Sequence, residues 1–207
     1  DAKFVGDIIS YLMEQDGEKE KFQNLFLAGK CMSEVRSSHG IDDVESRLLN
    51  RLKDLTGYDL GYYYNPFDLY SIEIYQKNAD LVREIRTQAV EIVATSWRDD
   101  PSTYTWLKQR VVSDESSSVR REALRQIATG WKHEPGILDL LKQWVVSDES
   151  EHVRLEALRQ IAIGWKHEPG ILDLLKQRVV SDDSSDVRTE ALRQIATGWK
   201  HEPGILD

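Results

Sequence analysis

Three histidines in this chain have a type and spacing that could do chemistry. His133, His167 and His201 recur every 34 residues, and each is followed by glutamate; imidazole and carboxylate groups are common zinc ligands. Equivalent positions on stacked helices lie roughly 8 to 10 Å apart, whereas zinc needs its ligands within about 2.1 Å. The spacing therefore favours loop histidines that were copied with their surroundings, and no metal site is predicted.

Nucleophilic and nucleotide chemistry have no better basis in the sequence. Cys31 is the single cysteine and lies in the apolar run "LFLAGKCM", where we expect a buried, inert thiol. The sequence contains no GxxxxGK[ST] loop, the motif that cradles phosphates in many nucleotide hydrolases. We predict no catalytic residues and no cofactor.

Composition limits the partners and the compartment. The 207 residues carry a formal net charge of -9, which argues against nucleic acid as a partner because phosphate binding requires positive charge. The sequence has no apolar run of about 20 residues and no signal-peptide pattern, and a single thiol agrees with a reducing compartment. We expect a soluble, cytoplasmic protein that does not enter a membrane. Because the sequence begins with Asp1 and ends at Asp207 within a predicted helix, we also expect it to be part of a longer chain.

A tandem repeat positions these residues. The string "GWKHEPGILD" occurs three times, and Trp97, Trp131, Trp165 and Trp199 recur every 34 residues. A fixed period of this length is typical of repeat arrays. Residues 119–152 and 153–186 differ at only six positions, which indicates recent duplication.

Each 34-residue unit reads as two helices. Pro101, preceded by Asp100 as a cap, and Pro135 are predicted to open first helices. Serine caps are predicted to open the second helices, at Ser116, Ser150 and Ser184. Each second helix then carries an apolar stripe, for example Val119, Ala123, Ile127 and Trp131. Two such helices cannot bury their apolar faces alone, so neighbouring units must stack, with the tryptophans forming a buried column between them.

The segment "SDESSSVRREALRQIA" resembles the second helix of a HEAT repeat, in which an aspartate and an arginine form a ladder between neighbouring units. Asp114 precedes Arg120 by six residues. The same interval recurs in three further pairs: Asp148 and Arg154, Asp182 and Arg188, and Asp80 and Arg86 in a degenerate copy. Tetratricopeptide arrays share the 34-residue length, but their signature positions do not match. The resemblance implies an all-α fold, an α-solenoid of HEAT-like helix pairs over residues 78–207, preceded by a small helical segment.

Residues 1–60 carry no copy of the repeat. Their string "NLFLAGKCMSEV", residues 24–35, resembles a helix that follows the nucleotide-binding domain of bacterial NACHT-type (STAND) signalling NTPases, where HEAT arrays commonly follow. The resemblance implies an NTPase domain upstream in the same parent chain. Residues 61–77 are rich in tyrosine and form either a connector or a degenerate first helix; their aromatic rings could stack on a ligand or pack at the start of the array.

One face of the second helices is the candidate partner-binding surface. Its residues are spaced by four and lie away from the apolar stripe; in HEAT arrays the second helices commonly line the binding side. The surface comprises Arg121, Arg125, Thr129, Leu155, Arg159, Ile163, Thr189, Arg193 and Thr197. Its constant arginines would suit an acidic or helical protein partner. The alternative is a drifting solvent face whose arginines merely pair with nearby acidic residues such as Glu122.

The leading functional hypothesis is a protein-interaction or sensor module of a signalling NTPase that recognises a partner or holds the NTPase inactive. Two alternatives remain at this point: a DNA-binding HEAT-like protein and a HEAT protein of the phycobilin-lyase type. We further expect the open C-terminal edge to self-associate through half-covered apolar residues, namely Val187, Ala191, Ile195 and Trp199. Trp131 and Trp165, inside the array, should be more important for stability than Trp199.

Overall fold

The computed structural model describes residues 2–15, 17–18, 21–35, 40–60 and 69–200, with side chains described from residues 3 and 73 in the first and last of these ranges. Within these ranges the chain is helical and contains no strand, and no helix is long and apolar enough to cross a membrane. A short 3₁₀ turn, Leu55–Gly57, follows the third helix. The α-helices are α1 Ala2–Glu14, α2 Gln23–Ser33, α3 Asp42–Asp54, α4 Leu69–Ser96, α5 Pro101–Ser113, α6 Ser117–Gly130, α7 Ile137–Ser147, α8 Glu151–Gly164, α9 Ile171–Ser181 and α10 Ser185–Gly198.

The chain divides into two compact units, an N-terminal unit Asp1–Thr105 and a repeat unit Trp106–Asp207. In the N-terminal unit, α2 contacts α1, α3 and α4. In the repeat unit, α6 contacts α8 and α8 contacts α10, while α7 packs on α8 and α9 on α10. The second helices of successive units thus form one continuous layer with the first helices packed against it, and the predicted α-solenoid of helix pairs is confirmed.

Helix α4 differs from the expected start of the array. It runs unbroken from Leu69 to Ser96, so it crosses the boundary predicted between residues 77 and 78. The degenerate copy is therefore not a helix pair here. Residues 69–96 contain neither glycine nor proline, and Val82 occupies the place of the capping serine, so nothing local stops the helix. The tyrosine-rich residues 61–68 lie outside the described part of the chain.

The first helices begin in two different ways. Helix α5 starts at Pro101 as predicted, with Asp100 Oδ1 accepting a hydrogen bond from the Ser102 N–H at 2.8 Å. Helix α7, however, begins at Ile137, so the prediction that Pro135 opens it is wrong. Gly136 intervenes with a φ of 82°, a left-handed conformation that suits glycine. Gly170 repeats this conformation before α9 with a φ of 80°.

The second helices begin at the predicted serines, and the aspartate before each serine stabilises the turn that leads into the helix. Ser116, Ser150 and Ser184 are the N-cap residues of α6, α8 and α10. Of these, Ser184 accepts a bond from the Asp186 N–H at 3.2 Å. In all three turns the aspartate two residues before the serine accepts a hydrogen bond from the serine N–H, at 2.8 to 3.0 Å.

The tryptophans do not form the expected buried column. Trp97 and Trp199 are buried, at 5% and 8% exposure, whereas Trp131 and Trp165 are only half-buried. A lysine of the preceding unit lies over each of the last two rings: Lys132 Nζ is 5.6 Å from the Trp165 ring centroid, and the equivalent distance to Trp199 is 5.7 Å. The expectation that Trp131 and Trp165 lie in a buried column is therefore wrong. The lysine contact is shared by Trp165 and Trp199, so it does not explain why the first ring is half-buried and the second buried.

The C-terminal edge is covered where we expected it to be bare. Val187 and Ala191 are fully buried and Ile195 is 7% exposed, so the prediction that they form an adhesive edge is wrong. Their stripe faces the preceding helices of the array. Among the large apolar residues of α10, Leu192 is exposed, at 54%, whereas its copies Leu124 and Leu158 are buried.

Candidate functional site

The aspartate–arginine ladder links successive repeat turns. Arg120 donates from Nε and Nη2 to the two carboxylate oxygens of Asp148, 28 residues later, at 3.1 and 3.0 Å. Arg154 does the same to Asp182, at 3.3 and 3.0 Å. The aspartate six residues earlier contributes its backbone: Arg120 Nη1 donates to the Asp114 carbonyl at 2.9 Å. Each arginine thus closes its own turn and holds the turn of the next unit.

The ladder is buried and strongly paired. Arg120 and Arg154 are each 6% exposed. The hydrogen bond to Asp148 raises the pKa of Arg120. Burial disfavours the charged form of Asp182, but hydrogen bonds from Arg154 and the Ser184 N–H outweigh it and lower the pKa of that carboxyl. Because breaking a buried ion pair leaves an uncompensated charge, these residues hold the array together.

The two outer pairs of the predicted ladder are different. Arg188 donates from Nη1 to the Asp182 carbonyl at 2.7 Å, which reproduces the turn contact. In the degenerate copy, Arg86 Nε donates to the Tyr58 carbonyl at 2.6 Å, while Asp80 pairs with Arg83. The predicted partnership of Asp80 with Arg86 is therefore wrong, since six residues along one continuous helix place two side chains on different faces.

The nine residues of the predicted partner-binding surface lie at the surface of the second helices. Six are exposed and three are half-buried, the latter being Arg121, Leu155 and Arg159. Ile163 stands out because 73% of this large apolar residue is exposed. Its copies in the flanking units are Thr129 and Thr197, whose hydroxyls donate to the carbonyls of Arg125 and Arg193 one turn earlier.

Three of the four arginines of this surface, Arg125, Arg159 and Arg193, pair with glutamate. Arg125 donates from Nε and Nη2 to Glu122 at 3.0 and 2.7 Å. Arg159 reaches the next helix and donates to both carboxylate oxygens of Glu190 at 3.0 and 3.2 Å. Arg193, from the same helix as Glu190, binds it through Nε and Nη2 as well. The alternative of arginines engaged with nearby acidic residues is what the structure shows.

These glutamates are buried, so the pairs are also structural. Glu122 is 8% exposed and Glu190 6%. Burial disfavours the charge on Glu190, but hydrogen bonds from Arg193, Arg159 and Gln194 outweigh it and lower its pKa to about 2. The arginines therefore compensate buried negative charge. Arginines on a purely solvent-facing surface would have no buried carboxylates to compensate. Pairing with Glu122 is the alternative that the sequence offers, because a glutamate three residues before each arginine recurs in "EALRQIA"; the burial of these glutamates is what the sequence does not reveal.

Other residues considered for chemistry lie apart from one another. His133 and His167 are exposed, and His201 falls outside the described residues. Within the described ranges, no group of three His, Cys, Asp or Glu side chains could hold a metal ion. Cys31 is half-buried, so the expectation of a fully buried thiol is wrong: its helix turns Leu25, Ala28 and Met32 inward instead.

Comparison with known proteins supports the repeat architecture. The family model for HEAT repeats matches residues 104–196, which include most of α5 and nearly all of α10. No curated protein and no solved structure matches the chain. The repeat unit is therefore similar to HEAT repeats, a class of arrays that present extended surfaces to other proteins.

Proposed function

We propose that this chain is a protein-interaction scaffold and that its second-helix face binds a protein partner around Ile163. The observation that carries the proposal is the 73% exposure of Ile163. Leu155 and Arg159 precede it at intervals of four residues, so the three side chains follow one face of α8. An apolar anchor surrounded by polar groups is the arrangement found at the centre of many protein interfaces.

The flanking units would supply the polar rim. On either side of the middle unit, Arg125 pairs with Glu122 and Arg193 with Glu190. Since these arginines are already matched by carboxylates, the rim carries little net positive charge. A partner is then selected by an apolar side chain that covers Ile163 and by hydrogen bonds to the rim.

A more specific role as the sensor arm of a NACHT-type signalling NTPase extends this proposal. It is supported by the resemblance of residues 24–35 to a helix that follows the nucleotide-binding domain in that class, together with the HEAT match. In this role, a partner on the second-helix face would change the contacts of the array with an NTPase domain in the same parent chain.

The test replaces Ile163 by the residue of its own copies. A photo-crosslinking amino acid at Thr129 would be introduced into the protein in its native host, with and without Ile163→Thr. We expect a discrete protein crosslink that Ile163→Thr abolishes, with the melting temperature unchanged because the side chain is exposed. Val180→Thr, at an 84%-exposed valine on α9, is the matched control and should leave the crosslink intact.

A crosslink that survives Ile163→Thr would contradict the proposal. Reversal of the three arginines to glutamate is a poorer test, because it would place negative charge against the buried Glu122 and Glu190. Loss of binding could then reflect unfolding of the array rather than loss of a contact surface.

A further inference from the structure

Helix α10 exposes a line of residues that the other second helices bury. Its members are spaced by four, so they follow one side of the helix: Arg188, Leu192 and Ala196. Leu192 is 54% exposed, Ala196 is exposed and Arg188 is half-buried. We call these three residues the α10 stripe. It lies beside the apolar line of α10 that begins at Val187 and is buried in the array.

The same positions are buried in both earlier copies. In α6 and α8 the residue types are identical to those of the α10 stripe. None of these six residues is more than 6% exposed; they are Arg120, Leu124, Ala128, Arg154, Leu158 and Ala162. Helix α6 contacts α8 and α8 contacts α10, whereas no second helix follows α10 within the described residues. Because the residue types are unchanged, a following second helix is what covers this line in α6 and α8.

Arg188 presents the donors with which the ladder holds a following turn. Its Nη1 donates to the carbonyls of Asp182 and Asp183 at 2.7 and 3.0 Å, which fixes the guanidinium group on its own turn. In Arg120 and Arg154, Nε and Nη2 bind both carboxylate oxygens of the aspartate in the next turn. The same two nitrogens of Arg188 bind no carboxylate in the part of the chain that the structure describes. A planar pair of donors of this kind matches an incoming carboxylate.

The way α10 packs on α8 shows which partner the α10 stripe fits. The side of α10 that is turned into the array carries small and branched apolar residues four apart, which are Val187, Ala191 and Ile195, all buried. Asp182, five residues before the first of them, supplies the carboxylate to Arg154. A matching partner is therefore an amphipathic helix with such an apolar line, entered through a turn that carries an aspartate.

We propose that the α10 stripe is a docking site for such a helix of a partner protein. The helix packs on α10 as α10 packs on α8, its apolar line covers Leu192, and its turn aspartate binds Nε and Nη2 of Arg188. The contact continues an interface that the array already forms twice, with the same arginine–aspartate pairing. One helix buries less than the roughly 1,200 Å² of a standard interface, so the association is weak, with a dissociation constant on the order of 100 µM. It is independent of the partner proposed for the face around Ile163.

A synthetic peptide that copies residues 179–200, the turn and α10 itself, is the probe for this site. Fluorescence anisotropy of the labelled peptide would be followed with the 207-residue protein up to about 1 mM, and we expect saturable binding. Leu192→Glu in the protein should weaken binding at least about tenfold, because it places a carboxylate in the apolar contact. Circular dichroism should show that this variant stays folded, since Leu192 is 54% exposed. Val180→Glu, at an 84%-exposed residue of α9, is the control and should bind the peptide as the wild type does.

A double-mutant cycle tests the role of Arg188. The peptide variant Asp182→Ala should bind the wild-type protein about tenfold more weakly than the unmodified peptide. With the protein variant Arg188→Ala, the two peptides should bind equally, because the carboxylate has lost its partner; the comparison removes any effect of the substitution on the peptide alone.

Lack of saturable binding to the wild type overturns the proposal, as does unchanged binding to Leu192→Glu. An Asp182→Ala penalty of the same size with both proteins would overturn the assignment of Arg188 as the group that binds the aspartate.

Discussion

The repeat unit and the N-terminal unit hold their helices together by different means. In the repeat unit, the same buried contact recurs at each turn: Arg120 binds Asp148 and Arg154 binds Asp182. In the N-terminal unit each long-range contact occurs once, as where Arg51 Nη1 donates to the Met13 carbonyl at 2.7 Å. Repetition therefore lets the sequence predict which residues take part in the recurring contacts. Single contacts depend on pairings that no spacing reveals.

The largest expected effect falls on a contact of the N-terminal unit. Trp97 is 5% exposed, and its Nε1 donates to Glu45 Oε1 on α3 at 2.9 Å. Trp97→Ala should lower the free energy of unfolding by about 4 kcal/mol, since it removes a buried ring and leaves the carboxylate unpartnered. Urea denaturation followed by circular dichroism measures this change.

Its copies in the array provide the comparison. Trp165 is half-buried, so Trp165→Ala should cost under about 2 kcal/mol, while Trp199→Ala should fall between the two. Equal losses of unfolding free energy at all three positions would show that these tryptophans contribute equally to stability. That result would contradict the proposed difference between the N-terminal unit and the repeat unit.

The second prediction concerns the ladder. Asp182→Ala should cost about 3 kcal/mol, because Arg154 would keep a buried charge without its main partner. The matched variant in the N-terminal unit is Asp43→Ala, which removes an ion pair with Arg47 at 3.6 Å whose carboxylate is 92% exposed; its effect should stay within about 0.5 kcal/mol. A similar loss for both variants in urea denaturation would contradict the structural role of the ladder.

The third prediction concerns acid. The pKa of Glu190 falls from 4.5 to about 2 on folding, so the folded state binds fewer protons than the unfolded chain in this range. Its stabilising contribution is complete above pH 4.5 and is lost as pH falls towards 2. Stability should drop by about 2 kcal/mol over this window from this group. Glu190→Gln should be less stable at neutral pH but should show a flatter acid dependence; an unchanged slope in urea titrations at several pH values would refute the assignment.

Periodicity predicted much of the repeat unit and little of the N-terminal unit. The 34-residue period yielded the helix pairs and the capping serines, because each is a local feature copied with the sequence. It did not reveal that Asp148 rather than Asp114 supplies the carboxylate to Arg120, since either aspartate recurs at a fixed interval. The distinction depends on how units stack, a tertiary property.

Two other features escaped for different physical reasons. The pairing of Arg159 with Glu190 crosses between helices, whereas helical spacing reveals only neighbours on one helix. The exposure of Phe4 and Tyr11 on α1 could not be predicted because α1 is apolar on two sides, and a sequence cannot say which side the rest of its unit covers. Gly136 shows the reverse case: a glycine after proline signals a turn, and in the structure this turn prevails over the preference of proline for helix starts.

The ladder has a consequence for how the array can change length in evolution. The interval from arginine to its aspartate is 28 residues, shorter than the 34-residue copy. Each bond therefore spans one junction between copies. If recombination within "GWKHEPGILD" removes exactly one copy, Arg120 is followed 28 residues later by the aspartate that was Asp182, and the bond is regenerated. Losses or gains of whole copies thus preserve every buried charge pair, whereas an insertion of any other length between arginine and aspartate separates the two. The array can therefore gain or lose copies with different surface residues while its buried arginine–aspartate pairs are kept.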